Sequence, residues 1–133
     1  MIVADASLLH NYVNPVAEAN LADAVFQKDP ICYAPSLWRY ELRNALLKYV
    51  RIGKLTSPLV ERAFEDAKKV IADHELGAST AEVFQAAITF KISAYDAEYV
   101  ALAHKLRVPL VTFDQKLVRA APGIALSPED FLR

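Results

Sequence analysis

Four carboxylates are the residues of this chain best suited by type and position to do chemistry: Asp5, Glu41, Asp96 and Asp114. Asp5 closes the apolar run 1–4, Asp114 follows the apolar run 108–112, and Asp96 stands in the first turn of a helical stretch that Ser93 opens. Each of these three has an everyday explanation, because an acid at a helix start satisfies free N–H groups and the helix dipole. Residues 93–96 even have capping-box spacing. Glu41 lacks such an explanation. The positions four residues before and after it, where a basic partner would sit on a helix, hold Leu37 and Ala45. Glu41 shares one narrow helical band with Asn44, Lys48 and Arg51, while Trp38, Leu42, Ala45, Leu46 and Tyr49 lie on another face.

Carboxylates gathered in one crevice repel each other and hold protons more tightly unless a cation neutralises them. Donor sets made only of oxygen suit Mg²⁺ or Mn²⁺, which keep several waters and are readily shared with a phosphate. Lone Cys32 and the scattered His10, His74 and His104 have no zinc-site spacing. Ser7, Asn44 and Thr112 are polar neighbours of the acids, able to orient water or simply to bond locally to the backbone.

The elements that must bring the acids together can be read from the apolar pattern. Residues 1–4 read as a strand turning into a helix, with Asp5 and Ser7 both suited to cap it. Helices are expected over 15–27, 36–52 (stopped by Gly53), 57–72, 80–90, 94–106 and 114–120, with a last one starting at 127–130. Short strands are expected at 31–34, near 75–77, at 108–112 and at 124–126. Short apolar strands alternating with helices imply a parallel sheet covered on both faces, an α/β/α sandwich of four to five short strands. In such sheets, sites form outside the carboxyl ends of the strands, where acids at helix starts would converge. Capping alone requires no such convergence.

Composition narrows the classes. The chain has 133 residues, 54% of them apolar, enough for one core and one domain covering 1–133. The seven prolines and three glycines are scattered, and neither a repeat nor a linker stands out. A single cysteine, no basic leader segment and no apolar run long enough to cross a bilayer fit a cytoplasmic protein, with Cys32 a small core hydrophobe. A formal net charge of −1 argues against a purely electrostatic nucleic-acid binder. Locally the picture differs. Residues 36–54 carry Arg39, Arg43, Lys48, Arg51 and Lys54 against Glu41 alone, and residues 104–121 carry Lys105, Arg107, Lys116 and Arg119 against Asp114.

Four segments in order, IVADAS at 2–7, ELRNAL at 41–46, YDAEYVALA at 95–103 and LVTFD at 110–114, resemble the PIN-domain family, in particular its small toxin ribonucleases of the VapC type. The resemblance spans nearly the whole chain. It implies that Asp5, Glu41, Asp96 and Asp114 hold Mg²⁺ or Mn²⁺ and activate a water to cut an RNA phosphodiester, leaving a 5′-phosphate. Asp5 and Asp96 would be the central ligands, with Ser7, Asn44 and Thr112 in support. It also implies a homodimer inhibited by a cognate antitoxin. Where relatives carry a further acid after the last aspartate, this chain has Gln115 and Lys116, which weighs against a second, tightly held metal. Arg43, Lys48 and Arg51 are the candidate RNA contacts.

Two rivals carry different expectations. A phosphoaspartate phosphatase would have a second acid two residues after its nucleophile, where this chain has Ser7, and a receiver domain would have an acidic pair at its first strand end. A non-catalytic module binding RNA or a protein partner would use the acids only as caps and Trp38, Tyr40 or Tyr49 as stacking surfaces, although aromatic residues on an apolar helix face usually belong to a core.

Overall fold

Residues 2–4 are apolar throughout, and as strand β1 (Ile2–Ala4) all three are fully buried. Successive strand residues point to opposite faces of a sheet, so this burial requires helices on both sides. The computed structural model describes residues 1–17 and 21–133. In it β1 is an interior strand of a four-stranded parallel sheet with β2 (Cys32–Tyr33), β3 (Leu110–Val111) and β4 (Ala125–Leu126), in the order β2-β1-β3-β4. The expected α/β architecture is therefore present.

The helices are α1 (Ala6–Val13), α2 (Leu21–Lys28), α3 (Leu37–Arg51), α4 (Ser57–Ile71), α5 (Thr80–Phe90), α6 (Ala94–Leu106), α7 (Gln115–Ala120) and α8 (Pro128–Leu132). Their buried residues and the strands form one contiguous core. Trp38 of α3 stacks on Phe64 of α4 with ring centroids 5.3 Å apart, and its indole N–H donates to Glu75 at 2.8 Å. Cys32 is buried in this core, which pushes its thiol up to about 12 and leaves it protonated and inert.

Three expected elements differ. The helix expected over 15–27 is observed as Leu21–Lys28. Its start falls elsewhere because the Asn14 side-chain oxygen accepts the Val16 N–H at 3.0 Å and the Asn14 carbonyl accepts the Ala17 N–H, a turn that competes with helix. Residues 18–20 of that expected helix lie outside the described residues. The strand expected at 75–77 is reduced to one parallel bridge, Ala34 to Glu75, because Ser36, which would supply the next bond of the ladder, has already turned into the helical conformation that starts α3. Pro109, which has no N–H to give a ladder, shortens the strand expected at 108–112: Val108 instead donates to Ala103, at the end of α6.

This topology sets where side chains can meet. The chain leaves β1 for β2 on one side and comes back to β3 on the other, so the carboxyl ends of β1 and β3 form the topological switch point at which such sheets bind ligands. Helices α1 and α7 start directly after β1 and β3. Helix α3 starts just beyond β2, and α6 leads into β3 and so begins at that same edge.

Candidate active site

Asp5 is the residue that β1 delivers to this edge, and it is only 7% exposed. Its carboxylate is gripped at both oxygens. Oδ1 accepts the Ser7 hydroxyl at 2.6 Å and the Leu8 N–H at 3.1 Å, which caps α1. Oδ2 accepts the Thr112 hydroxyl. Ser7 Oγ in turn accepts the Phe113 N–H at 3.0 Å, and Thr112 Oγ1 accepts the Asp114 N–H at 2.9 Å. Two relays thus run from backbone N–H through hydroxyl to carboxylate, each bond polarising the next. Each hydroxyl has one proton, and both protons go to Asp5. The 3.3 Å approach of Ser7 Oγ to Thr112 Oγ1 is therefore a packing contact. The sequence spells this out as two Asp/hydroxyl pairs two residues apart, Asp5 with Ser7 and Thr112 with Asp114.

Asp114 Oδ1 caps α7, accepting the Lys116 N–H at 3.0 Å and the Leu117 N–H at 3.3 Å. Ser93, not Asp96, caps α6: its hydroxyl accepts the Asp96 N–H at 3.0 Å. The half-buried Asp96 carboxylate interacts with Ser93 and lies near enough to Asp114 for that charge to act on it. Glu41, on the fifth residue of α3, accepts the Tyr99 hydroxyl at 2.6 Å. Tyr99 is a buried residue of α6, three positions beyond Asp96. Burial, then the Glu41 hydrogen bond and charge, hold its phenol well above the ordinary range. Sequence reading missed this anchor, because an aromatic on an apolar helix looks like core. Its one signal was a polar hydroxyl on the helix that carries Asp96.

The charges of the four acids act on one another in a closed ring. Burial raises Asp5 above the ordinary carboxylate range, opposed by its hydrogen bonds from Ser7, Thr112 and Leu8, with the Asp114 charge adding to the rise. Burial raises Glu41, against the Tyr99 bond, with Asp5 and Asp96 adding. Burial and then the Asp114 charge raise Asp96. The charge of Asp114 thus reaches Asp5 and Asp96, and the charges of those two reach Glu41, which capping does not explain.

Among the described residues, no three carboxylate, imidazole or thiolate groups form a ready-made metal cage. Uncompensated carboxylates repel and stand apart, and Mg²⁺ in any case keeps several waters and is seldom enclosed by protein alone. A set of oxygen donors that runs from buried Asp5 through half-buried Glu41 and Asp96 to exposed Asp114, with its deepest member fixed by hydroxyls, fits a small divalent cation open to solvent. Removing the Tyr99 hydroxyl checks this. Tyr99→Phe keeps the ring's packing but frees Glu41, and is expected to weaken Mn²⁺ binding by about tenfold or more, with the melting temperature of the metal-free protein little changed. Unaltered Mn²⁺ affinity in calorimetric titration would remove Tyr99 from the site.

The remaining candidates are dispersed. Asn44 is exposed and bonds to none of the four acids among the described residues. Arg43 lies on the side of α3 away from Glu41, its guanidinium 4.6 Å over the Phe64 ring of α4 and 5.7 Å from the Tyr40 ring. Lys48 and Arg51 are exposed along α3 beyond Glu41. Lys48 lies near enough to His10 to add to the lowering of the imidazole pKa that burial begins.

Residues 2–122 match the family described as PIN domain. Ribonuclease VapC3 of Pyrobaculum aerophilum is 28% identical over 127 residues, which are 92% of this chain and 96% of that relative. Ribonuclease VapC1 of Mycobacterium tuberculosis is 35% identical over 98 residues, 73% of this chain and 72% of the relative. The same fold appears in the crystal structure of PAE2754 from Pyrobaculum aerophilum, with a TM-score of 0.76 at 24% identity over 98% of this chain and 85% of that one. It appears also in the structure of FitAB bound to an IR36 DNA fragment, with a TM-score of 0.72 at 19% identity over 96% and 95% of the two chains.

Proposed function

The chain belongs to the PIN-domain family, and from that premise we propose that it is a metal-dependent endoribonuclease, the toxin of a toxin–antitoxin pair. The observation that carries this reading is the convergence of four acids at the switch point of the sheet: Asp5 and Asp114 follow β1 and β3 and are joined through Thr112, and Glu41 is tied by Tyr99 to the helix that carries Asp96. The two similar relatives named as VapC ribonucleases support the substrate. An antitoxin protein and a second copy of the chain are the partners this reading includes.

Asp5, Glu41, Asp96 and Asp114 would hold Mg²⁺ or Mn²⁺, which supplies Lewis acidity toward a phosphoryl oxygen and makes a nearby water a better nucleophile. Asp5 is the rigid member. Its oxygens are fixed by Ser7, Thr112 and the α1 backbone, so its position is set by the fold itself. Glu41 and Asp96 are less deeply buried. That greater exposure suits them to orient a water toward phosphorus. Exposed Lys48 and Arg51 lie about 10 to 15 Å along α3 from Glu41, within reach of neighbouring nucleotides.

The test is incubation of the protein with total RNA and Mg²⁺, followed by mapping of the ends. Products are expected to carry 5′-phosphate and 3′-hydroxyl groups, and EDTA is expected to stop the reaction. Ends with 2′,3′-cyclic phosphate, or full activity in excess EDTA, would reject the mechanism. Replacing both Lys48 and Arg51 by Ala should weaken binding similarly across RNA sequences and flatten the log–log salt dependence by roughly one to two units, at about 0.7 per phosphate contact. An unchanged slope would take the RNA path off α3.

One observation favours the rival non-catalytic module: Asp5 and Asp114 do cap α1 and α7. Glu41 sits mid-helix and Asp96 leaves the capping of α6 to Ser93. If capping were all, Mn²⁺ titration would show no saturable site.

A further inference from the structure

Beside the acid ring, at the same edge of the sheet, lies a second concavity of about 490 Å³ between the starts of α3 and α6. Two exposed tyrosines line it. Tyr40, 63% exposed, precedes Glu41, and Tyr95, 67% exposed, precedes Asp96. Large aromatic rings this exposed lie outside the core, and here each adjoins an acid of the ring. On α3, Leu37, Tyr40 and Glu41 fall on one face at i, i+3 and i+4, and on α6 Tyr95, Glu98 and Tyr99 repeat the spacing. Each helix therefore turns one side chain to the acids and its neighbours to the cleft, and the Tyr99 to Glu41 hydrogen bond ties the two helices where cleft and ring meet. Arg43 lies over the Tyr40 ring at 5.7 Å and helps fix its plane.

The lining also says what the cleft rejects. None of its lining residues is a lysine or arginine, and the nearby Arg39 and Arg43 are engaged with Glu75 and with the Phe64 ring, so the lining itself favours a base over a phosphate. It holds two carboxylates. Glu75 is already occupied, taking the Trp38 indole N–H at 2.8 Å and the Arg39 guanidinium at 2.7 Å. Glu98 is partly exposed and accepts no hydrogen bond among the described residues. Two exposed rings and an unengaged acceptor, next to a site for a phosphodiester, match an unpaired base better than any other part of a nucleic acid. Aromatic rings stack on bases, and carboxylates accept from exocyclic amino groups.

We propose that the cleft is a nucleobase subsite: an unpaired base beside the scissile phosphate stacks on Tyr40 and Tyr95, with Glu98 accepting from its exocyclic amino group. This rests on the ribonuclease reading and adds selection of the sequence cut, with the bases that carry an exocyclic amino group favoured over uracil, which has none, at that position.

The test uses full-length Asp5→Asn protein, so that substrate survives, and a short single-stranded RNA carrying 2-aminopurine beside the mapped cleavage site. Binding is expected to quench the 2-aminopurine fluorescence. Combining Tyr40→Ala with Tyr95→Ala should abolish the quench and weaken binding by about fivefold to a hundredfold, whereas Phe at both positions should preserve both. In unlabelled RNA, Glu98→Gln should reduce the preference for cytosine over uracil by about tenfold. Quench and affinity that survive loss of both rings, in a chain whose unmutated form still cuts RNA, would overturn the subsite and leave the nuclease standing. Failure of the unmutated chain to bind or cut any RNA would overturn both. The Phe variants and thermal melts separate a lost ring from a lost fold.

Discussion

Asp5→Asn is expected to lower RNA cleavage by at least about a hundredfold while the protein stays folded and, without metal, melts at a higher temperature than the wild type. The change removes a buried negative charge that burial and Asp114 both disfavour, and it leaves the local bonding solvable. Asparagine caps a helix as well as aspartate does, so its oxygen can keep the Leu8 N–H and the Ser7 hydroxyl. Its amide would then donate to Thr112 Oγ1, which has a second lone pair beside the one that accepts the Asp114 N–H. The freed Thr112 proton can turn to Ser7 Oγ, 3.3 Å away. Asp5→Ala offers none of this. It strands two hydroxyls and a helix-start N–H at a buried position, at about 1–3 kcal/mol for each group left unsatisfied, and is expected to melt lower. Wild-type cleavage by Asp5→Asn would sink the four-acid site. A lower melting point for Asp5→Asn than for wild type in the absence of metal would sink the claim that the ring is repulsive.

Asp5 and Asp114 were legible because they sit where apolar strand runs end, and strand ends in a parallel sheet share one edge, whereas Ser7 and Thr112 stood out only as polar neighbours until the structure joined both hydroxyls to Asp5. Glu41 was legible by default, as a helical acid without a local partner. What the sequence concealed depends on contacts between distant residues. Tyr99 looks like core until the structure sets its hydroxyl on Glu41, 58 positions away. The band through Glu41, Lys48 and Arg51 followed from helical spacing, but nothing local showed that Arg43 would be drawn to Phe64 across the α3–α4 contact. The turn at Asn14 was missed for the opposite reason. Pro15 favours a helix start in general, yet the neighbouring Asn side chain offered the backbone a competing bond.

Stability should depend on pH and metal in a direction set by the same ring. In the unfolded chain Asp5 and Asp96 titrate near 3.8 and Glu41 near 4.5, and folding raises all three. Above those ordinary values the native state therefore holds more protons than the unfolded state, and the slope of unfolding free energy with pH is negative. The three groups favour folding most at the acid end, and that advantage is lost as pH rises through their raised folded values. Glu82 has the opposite sign. Its pKa is lowered by its bonds with Ser79, so its contribution is present above its ordinary value and disappears only as pH falls through the lowered one. The metal-free protein is thus expected to melt higher just above the ordinary carboxylate values than well above the raised ones, a trend readable by comparing melts near pH 5 and near pH 8. Saturating Mn²⁺ should flatten or reverse that trend, because a cation binds the ionised ring and stabilises the fold by mass action, about 2.7 kcal/mol at a hundred times its Kd. Asp5→Asn should show a weaker pH trend and a smaller Mn²⁺ shift than wild type. Melting curves recorded across this range with EDTA and with Mn²⁺ decide the matter: a metal-free melting point that rises with pH, or one that Mn²⁺ leaves unmoved at neutral pH, would mean that the four carboxylates are not a repulsive ring awaiting a cation.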